Sequence, residues 1–93
     1  MKLLSICIPT YNRCQTLDHL LESLSVELGA NKSDVEICIS DDDSTDDTRK
    51  IVEKWGLQLP IIYSLNKKNM GADRNVLKLL TISSGTFFWL SGD

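Results

Sequence analysis

The chain has 93 residues, of which 42% are hydrophobic and 25% charged, and its formal net charge is −3 at pH 7. This length predicts a single small domain, and the slight acidic balance lacks the basic excess of a nucleic-acid-binding protein, so we expect no nucleic-acid partner. The sequence has no apolar run of about 20 residues, the length that spans a bilayer, and its N-terminal apolar run is too short for a signal peptide, which predicts a cytoplasmic location.

The first quarter of the chain predicts a strand followed by a helix. The apolar run 3–8 is typical of a buried strand, and Pro9 is expected to end it because proline lacks the N–H that a sheet requires. From about Cys14 to Leu28, leucines at helical spacing indicate a helix, with Gly29 as its C-terminal stop. His19 is expected to be a surface or packing residue of this helix rather than a catalyst.

A second strand and helix follow. The run 35–39 is apolar enough for a parallel strand with both faces buried, and residues 45–55 predict a helix that Gly56 closes. Ser44 is expected to cap this helix by accepting the N–H of Asp47. The three cysteines lack metal-ligand and CxxC spacing, so we expect two buried thiols in strands and one free thiol: Cys7, Cys38 and Cys14, respectively.

The remaining chain predicts a third strand over 59–64, a helix over 72–83 with Gly85 as its stop, and a fourth strand over 86–90. Strands and helices therefore alternate throughout. This order predicts an α/β fold of the Rossmann-like, doubly wound type: a mostly parallel sheet with helices on both faces.

Three polar loops follow three of these strands, at 9–13, 41–45 and 91–93. The carboxyl ends of parallel strands meet at one edge of the sheet, where open α/β folds bind ligands. Tyr11 offers a ring on which a base can stack, or alternatively plugs the sheet edge. Asp42 is an acceptor for a base N–H or a ribose hydroxyl, and Asp93 is a hard oxygen ligand for Mg²⁺ or Mn²⁺.

Arg74 is the fourth candidate in this group. It lies near the start of the third helix, where a guanidinium and free backbone N–H groups suit a phosphate, although a surface ion pair is an equally good interpretation. Asp46 and Asp47 are expected to be helix-start charges. The four candidates together predict a nucleotide-diphosphate pocket.

Four sequence blocks, in order, resemble the successive blocks of family 2 glycosyltransferases, which have the GT-A fold: residues 5–12, 39–48, 69–75 and 84–93. The resemblance implies a nucleotide-sugar donor site in which the following residues surround the base and ribose: Pro9, Thr10, Tyr11, Asn12, Asp41 and Asp42. It further implies that Arg74 lies near the diphosphate and that Asp93 is the metal ligand of the DxD motif.

Two residues depart from the family pattern. Asp43 stands where the family usually has glycine, which adds charge beside the ribose site. Ser91 stands where the DxD motif has its first aspartate, which leaves Asp93 as the matching ligand.

The resemblance also implies what lies outside these 93 residues. Family members place the general base and the acceptor site after the DxD motif, so no catalytic residue is assigned here. We expect residues 1–93 to form the N-terminal, donor-binding portion of an inverting glycosyltransferase (EC 2.4), truncated at the DxD-like motif and inactive alone. The acceptor would be a glycan or a lipid-linked glycan, as in surface-polysaccharide assembly, with peripheral membrane association through the missing part. The oligomeric state is open.

Three other interpretations compete with this one. A calcium-binding EF-hand loop that starts at Asp41 has Val52 at its twelfth position, and one that starts at Asp42 has Asp47 where glycine is needed. A phosphoacceptor receiver domain needs an aspartate after the third strand, which instead ends in Ser64. A truncated, non-catalytic nucleotide-binding fragment is the remaining alternative.

Overall fold

The computed structural model describes residues 2–92. It contains seven elements in alternating order: β1 (Leu4–Thr10), α1 (Cys14–Leu28), β2 (Val35–Asp41), α2 (Thr48–Trp55), β3 (Ile61–Leu65), α3 (Ala72–Ile82) and β4 (Phe87–Leu90). Within this range, none of the helices has the length and apolar character needed to cross a membrane.

The four strands form one parallel sheet in the order β3-β2-β1-β4. The chain adds β2 and β3 on one side of β1 and then returns to place β4 on the other side. This reversal of strand order creates a crevice at the carboxyl edge of the sheet. β4 lies at one edge of the sheet, and all four of its side chains are exposed. The predicted doubly wound α/β fold is confirmed.

The core lies on both faces of the sheet because successive side chains of a strand point to opposite faces. On one face, isoleucines of β1 and β2 pack against α1 and α2 with these buried residues: Ile6, Ile8, Ile37, Ile39, Leu17, Leu21, Leu24 and Val52. On the other face, Cys7 and Cys38 pack against Leu79 of α3. The predicted buried thiols are confirmed, as is the free thiol of Cys14. His19 is exposed on α1, as expected.

Pro9 does not end β1, which continues to Thr10. The carbonyls of Leu3 and Cys7 accept hydrogen bonds from the β4 side, whereas the Thr10 carbonyl accepts one from the β2 side. Alternate residues of a strand direct their backbone groups to the same side, so the nitrogen of Pro9, like the groups of Cys7, faces the β4 side. The last residue of β4 that pairs with β1 is Leu90, opposite Cys7, so β4 has already ended at Pro9. The ladder therefore loses no bond at Pro9, and the predicted break was wrong.

Helix α2 begins at Thr48, later than predicted, and Ser44 does not cap it. The Ser44 hydroxyl instead accepts the backbone N–H of Asn12 at 2.9 Å, across the sheet edge. The Asp46 carboxylate accepts the N–H of Thr48 at 3.0 Å. The predicted cap at Ser44 was wrong, because its hydroxyl bonds to the loop after β1, and Asp46 instead satisfies one donor of the first turn of α2.

Gly29 ends α1 with a φ of 51°, as predicted. Gly85, however, is not the stop of α3, because that helix ends at Ile82 and Ser83 is already extended. A Cβ at Gly85 would lie 2.5 Å from Oγ of Ser5 and 2.6 Å from its backbone nitrogen. Glycine is needed there because the turn before β4 passes directly against β1.

Candidate functional site

A cavity of about 490 Å³ opens at the carboxyl edge of the sheet. Its walls come from the end of β1, the loop after β2, the loop before α3 and the first turns of α3. The lining residues are Pro9, Thr10, Tyr11, Arg13, Asp42, Asn69, Gly71, Ala72, Asn75 and Val76. The cavity therefore lies where the reversal of strand order predicts a ligand site.

Asp42 is the carboxylate of this lining, and it is almost completely buried, at 3% exposed. Its Oδ1 accepts hydrogen bonds from Nδ2 of Asn66 at 3.0 Å and from the backbone N–H of Met70 at 2.8 Å. Its Oδ2 accepts the N–H of Gly71 at 3.0 Å. Desolvation by burial raises the pKa of Asp42, but the bonds from Met70, Asn66 and Gly71 outweigh it and hold the pKa below its ordinary value.

These contacts give Asp42 two roles. A carboxylate oxygen can accept two hydrogen bonds. Oδ1 has both of its acceptor positions filled by Asn66 and Met70, whereas the bond from Gly71 fills one position of Oδ2. Asp42 therefore organises the loop before α3, and the contacts within residues 2–92 leave one acceptor position of Oδ2 for an N–H or O–H of a ligand.

Asp42 is joined to a buried network of hydrogen bonds between asparagine side chains and Ser40. Oδ1 of Asn75 accepts hydrogen bonds from Asn66 Nδ2 at 3.0 Å and from the Ser40 hydroxyl at 2.6 Å. Nδ2 of Asn75 donates to the Ser40 carbonyl at 2.9 Å. Asn66 Oδ1 is buried and has no partner among the described residues. The sequence did not predict that these two asparagines form one network, because only the folded chain brings them together. Asn75 belongs to the sequence block 69–75, which is the one feature of the sequence that pointed to it.

Three of the predicted donor-site residues on β1 and its loop line the cavity. Pro9 and Thr10 lie at the end of the strand, and Tyr11, which is 47% exposed, follows them. A half-exposed aromatic ring and a buried carboxylate in the lining of one cavity suit a planar ligand with a polar edge, such as a nucleobase.

The other predicted residues lie outside the lining. Asp41 is buried, and its carboxylate accepts the Tyr63 hydroxyl at 2.6 Å and the Ser44 N–H at 3.0 Å. Burial and this bond raise the pKa of Tyr63. Asn12 and Arg74 are exposed outside the cavity. Arg13, which the sequence did not single out, lines it instead. The donor-binding roles of Asp41, Asn12 and Arg74 stay predictions.

The predicted metal ligand, Asp93, lies outside the described residues. Within residues 2–92, no group of three or more histidine, cysteine or acidic side chains could hold a metal ion. The Mn²⁺ or Mg²⁺ site predicted at Asp93 stays a prediction.

The sequence model of glycosyl transferase family 2 matches residues 5–93. An abequosyltransferase of Salmonella typhimurium is 44% identical over 92 residues, which cover 97% of this chain and 27% of the relative. A chondroitin synthase of Escherichia coli is 38% identical over 69 residues, which cover 74% of this chain and 10% of that enzyme. The chain thus spans about a quarter or less of the length of these relatives.

Solved structures share the fold. Staphylococcus aureus TarS in complex with UDP has a TM-score of 0.89 and 32% identity, covering 99% of this chain and 27% of that one. A Pyrobaculum calidifontis mannosyltransferase in complex with GDP-Man and Mn²⁺ has a TM-score of 0.76, covering 87% of this chain and 24% of that one. The second structure is 20% identical, so its likeness concerns the fold alone.

Proposed function

This chain belongs to glycosyl transferase family 2, and from that premise we propose that it binds the nucleotide-diphosphate sugar donor of an inverting glycosyltransferase. The observation that carries the proposal is the pairing of Tyr11 and Asp42 in one cavity. The exposed ring gives a base a stacking surface, and the open acceptor position on Asp42 Oδ2 receives an N–H of the base or a hydroxyl of the ribose.

The charges around the cavity suit the diphosphate. Arg13 contributes a guanidinium to the lining, and Arg74 lies on the first turn of α3, where cationic side chains and free N–H groups favour phosphate. Mn²⁺ or Mg²⁺ held by Asp93 would neutralise the charge that develops on the diphosphate as it leaves. S. aureus TarS, which is 32% identical to this chain, has been solved in complex with UDP and with UDP-GlcNAc. This likeness supports a nucleoside-diphosphate ligand here.

The transfer itself needs residues that this chain is not expected to supply. An inverting transfer requires a general base near the attacking hydroxyl of the acceptor, on the side opposite the leaving diphosphate. We assign that base, and the glycan or lipid-linked acceptor, to the part of the family fold that these residues do not include. The second candidate function is nucleotide binding without catalysis.

Calorimetric titration with UDP, GDP, CDP and dTDP, each with and without Mn²⁺, tests the proposal. We expect one nucleotide to bind more tightly than the others, and Mn²⁺ to strengthen it. An assay for release of that nucleotide from its sugar conjugate, with acceptor glycans present, tests whether these residues suffice for transfer, and both candidates predict no release. Turnover by the 93-residue chain would contradict the expectation that it is inactive alone.

A further inference from the structure

We propose that a set of hydrogen bonds between the loop after β1 and the loop after β2 holds Tyr11 in position in the cavity that it shares with Asp42 and thereby sets the affinity for the nucleoside diphosphate. This interloop bridge consists of four residues: Asn12, Ser44, Thr45 and Asp46. The proposal rests on the proposed function, and it assigns these residues to positioning rather than to contact with the ligand.

Asn12 makes the centre of the bridge through a reciprocal pair of bonds. Its backbone N–H donates to Ser44 Oγ at 2.9 Å, and its side-chain Oδ1 accepts the N–H of Thr45 at 2.7 Å. The Thr45 hydroxyl is also near this oxygen, at 3.4 Å. Asn12 has a φ of 50°, a left-handed conformation that asparagine tolerates better than most residues. Its backbone and side chain therefore face the same loop.

Asp46 extends the bridge to the two helices. Its Oδ2 accepts the N–H of Cys14, the first residue of α1, at 3.1 Å, and its Oδ1 accepts the N–H of Thr48, the first residue of α2. The residue before α1, Arg13, makes no side-chain capping bond. Asp46 thus caps α1 from another loop, so one carboxylate fixes the starts of both helices.

The bridge lies next to two of the walls of the cavity, the end of β1 and the loop after β2. Asn12 follows Tyr11 directly, and the Ser44 N–H donates to the carboxylate of Asp41, the neighbour of Asp42. The four bridge residues do not line the cavity that Tyr11 and Asp42 share. Their effect on a ligand there must therefore pass through the placement of those two residues.

Tyr11 is half-exposed, so its position in the free protein affects how tightly a ligand binds. A side chain on an unrestrained loop must be ordered when a ligand binds, and that entropic cost weakens the affinity. The bridge orders the loop in advance. Removing its central side-chain acceptor should therefore weaken binding even where the fold survives.

The test uses two pairs of variants and the nucleotide that the four-way titration selects. Asn12→Gly keeps the left-handed backbone but removes the Oδ1 acceptor, whereas Asn12→Asp keeps an oxygen there. Ser44→Ala removes the hydroxyl that Asn12 uses, whereas Ser44→Thr keeps one. Leu28→Ala, in the core contact at the far end of α1, lowers stability away from the cavity and serves as the control. Melting temperature and Kd are measured for each.

We expect Asn12→Gly and Ser44→Ala to raise Kd about tenfold, Asn12→Asp and Ser44→Thr to stay within about threefold of wild type, and Leu28→Ala to lower the melting temperature without changing Kd. Unchanged Kd in both Asn12→Gly and Ser44→Ala would overturn the positioning role. So would a Kd that rises in Leu28→Ala as well, in proportion to its lower melting temperature, because binding would then depend only on overall stability. If wild type binds none of the four nucleotides, the proposed function itself fails, a result distinct from either.

Discussion

Oδ2 of Asp42 accepts the backbone N–H of Gly71 at 3.0 Å, and this bond joins the loop after β2 to the start of α3. Met70 donates its own N–H to Oδ1 of the same carboxylate. One side chain thus holds together two walls of the cavity that it also lines. Stability and ligand binding are therefore linked at Asp42.

Asp42→Asn should lower the free energy of unfolding by about 1 to 3 kcal/mol. In the wild type the N–H groups of Met70 and Gly71 each donate to a carboxylate oxygen, and in the variant one of them would face the –NH₂ group of the amide, which cannot accept. Asp43→Asn is the matched control, since Asp43 is the exposed neighbour and asparagine tolerates its φ of 64°. Urea denaturation of both variants measures the difference. Equal stability of the two variants would show that the loop before α3 does not depend on Asp42.

Gly85→Ala should destabilise the fold by about 1 to 3 kcal/mol, since the new methyl group would overlap with Ser5 and with the backbone of Leu4. The hydrogen bond from the Gly85 N–H to Ser5 Oγ, at 2.7 Å, would be displaced with it. Gly92→Ala provides the comparison, because no atom lies within 4 Å of a Cβ at that position. Thermal unfolding of the pair should show a lower melting temperature for Gly85→Ala alone.

Glu36 should make stability depend on pH in the acid range. Desolvation by burial raises its pKa, but bonds from Ser84 and Ser5 outweigh it and lower the pKa from 4.5 to about 2. Because the folded-state pKa is the lower one, the stabilisation is complete above pH 4.5 and is lost as the pH falls toward 2. It amounts to about 3 kcal/mol at neutral pH.

Urea denaturation of wild type and Glu36→Gln at pH 7 and pH 3 tests this dependence. The gap between the two proteins should shrink by about 2 kcal/mol at the lower pH. Glu27→Gln, at an exposed position of α1, is the control: its difference in unfolding free energy from wild type should be the same at both pH values. A gap for Glu36→Gln that is equal at both pH values would mean that its carboxylate is not the stabilising form.

The two arginines near the cavity should act on the phosphates of the ligand. We expect Arg13→Ala and Arg74→Ala each to weaken binding of the nucleoside diphosphate that the four-way titration selects about threefold to tenfold. Binding of the corresponding nucleoside should stay the same, because it lacks phosphates. Arg49→Ala, on the exposed side of α2, should change neither. Equal losses for the diphosphate and its nucleoside would indicate that the arginine supports the loop rather than the diphosphate.

Much of this fold follows from local sequence pattern. The spacing of the leucines in α1 and the apolar runs of β1 and β2 predicted the elements, and their alternation predicted the parallel sheet. Tyr11 and Asp42 could be placed together because both follow strands whose carboxyl ends meet.

What local pattern missed depends on contacts between distant parts of the chain. The capping of α1 by Asp46 and the approach of Gly85 to Ser5 join segments that only the tertiary fold brings together. Pro9 remains in its strand because of how far β4 extends, which no local rule about proline reveals. The place of Arg13 in the cavity depends on the loop after β1, where Asn12 adopts a left-handed turn.

The most direct test of the donor-site proposal is a ¹⁵N–¹H NMR titration of the chain with UDP, GDP, CDP and dTDP in the presence of Mg²⁺, with Asp42→Ala as the comparison. We predict that one nucleotide shifts the amide signals of residues 10–13, 41–44 and 69–76, and that Asp42→Ala abolishes these shifts while the spectrum stays dispersed. A dispersed wild-type spectrum that no nucleotide changes would contradict the claim that this chain binds a donor.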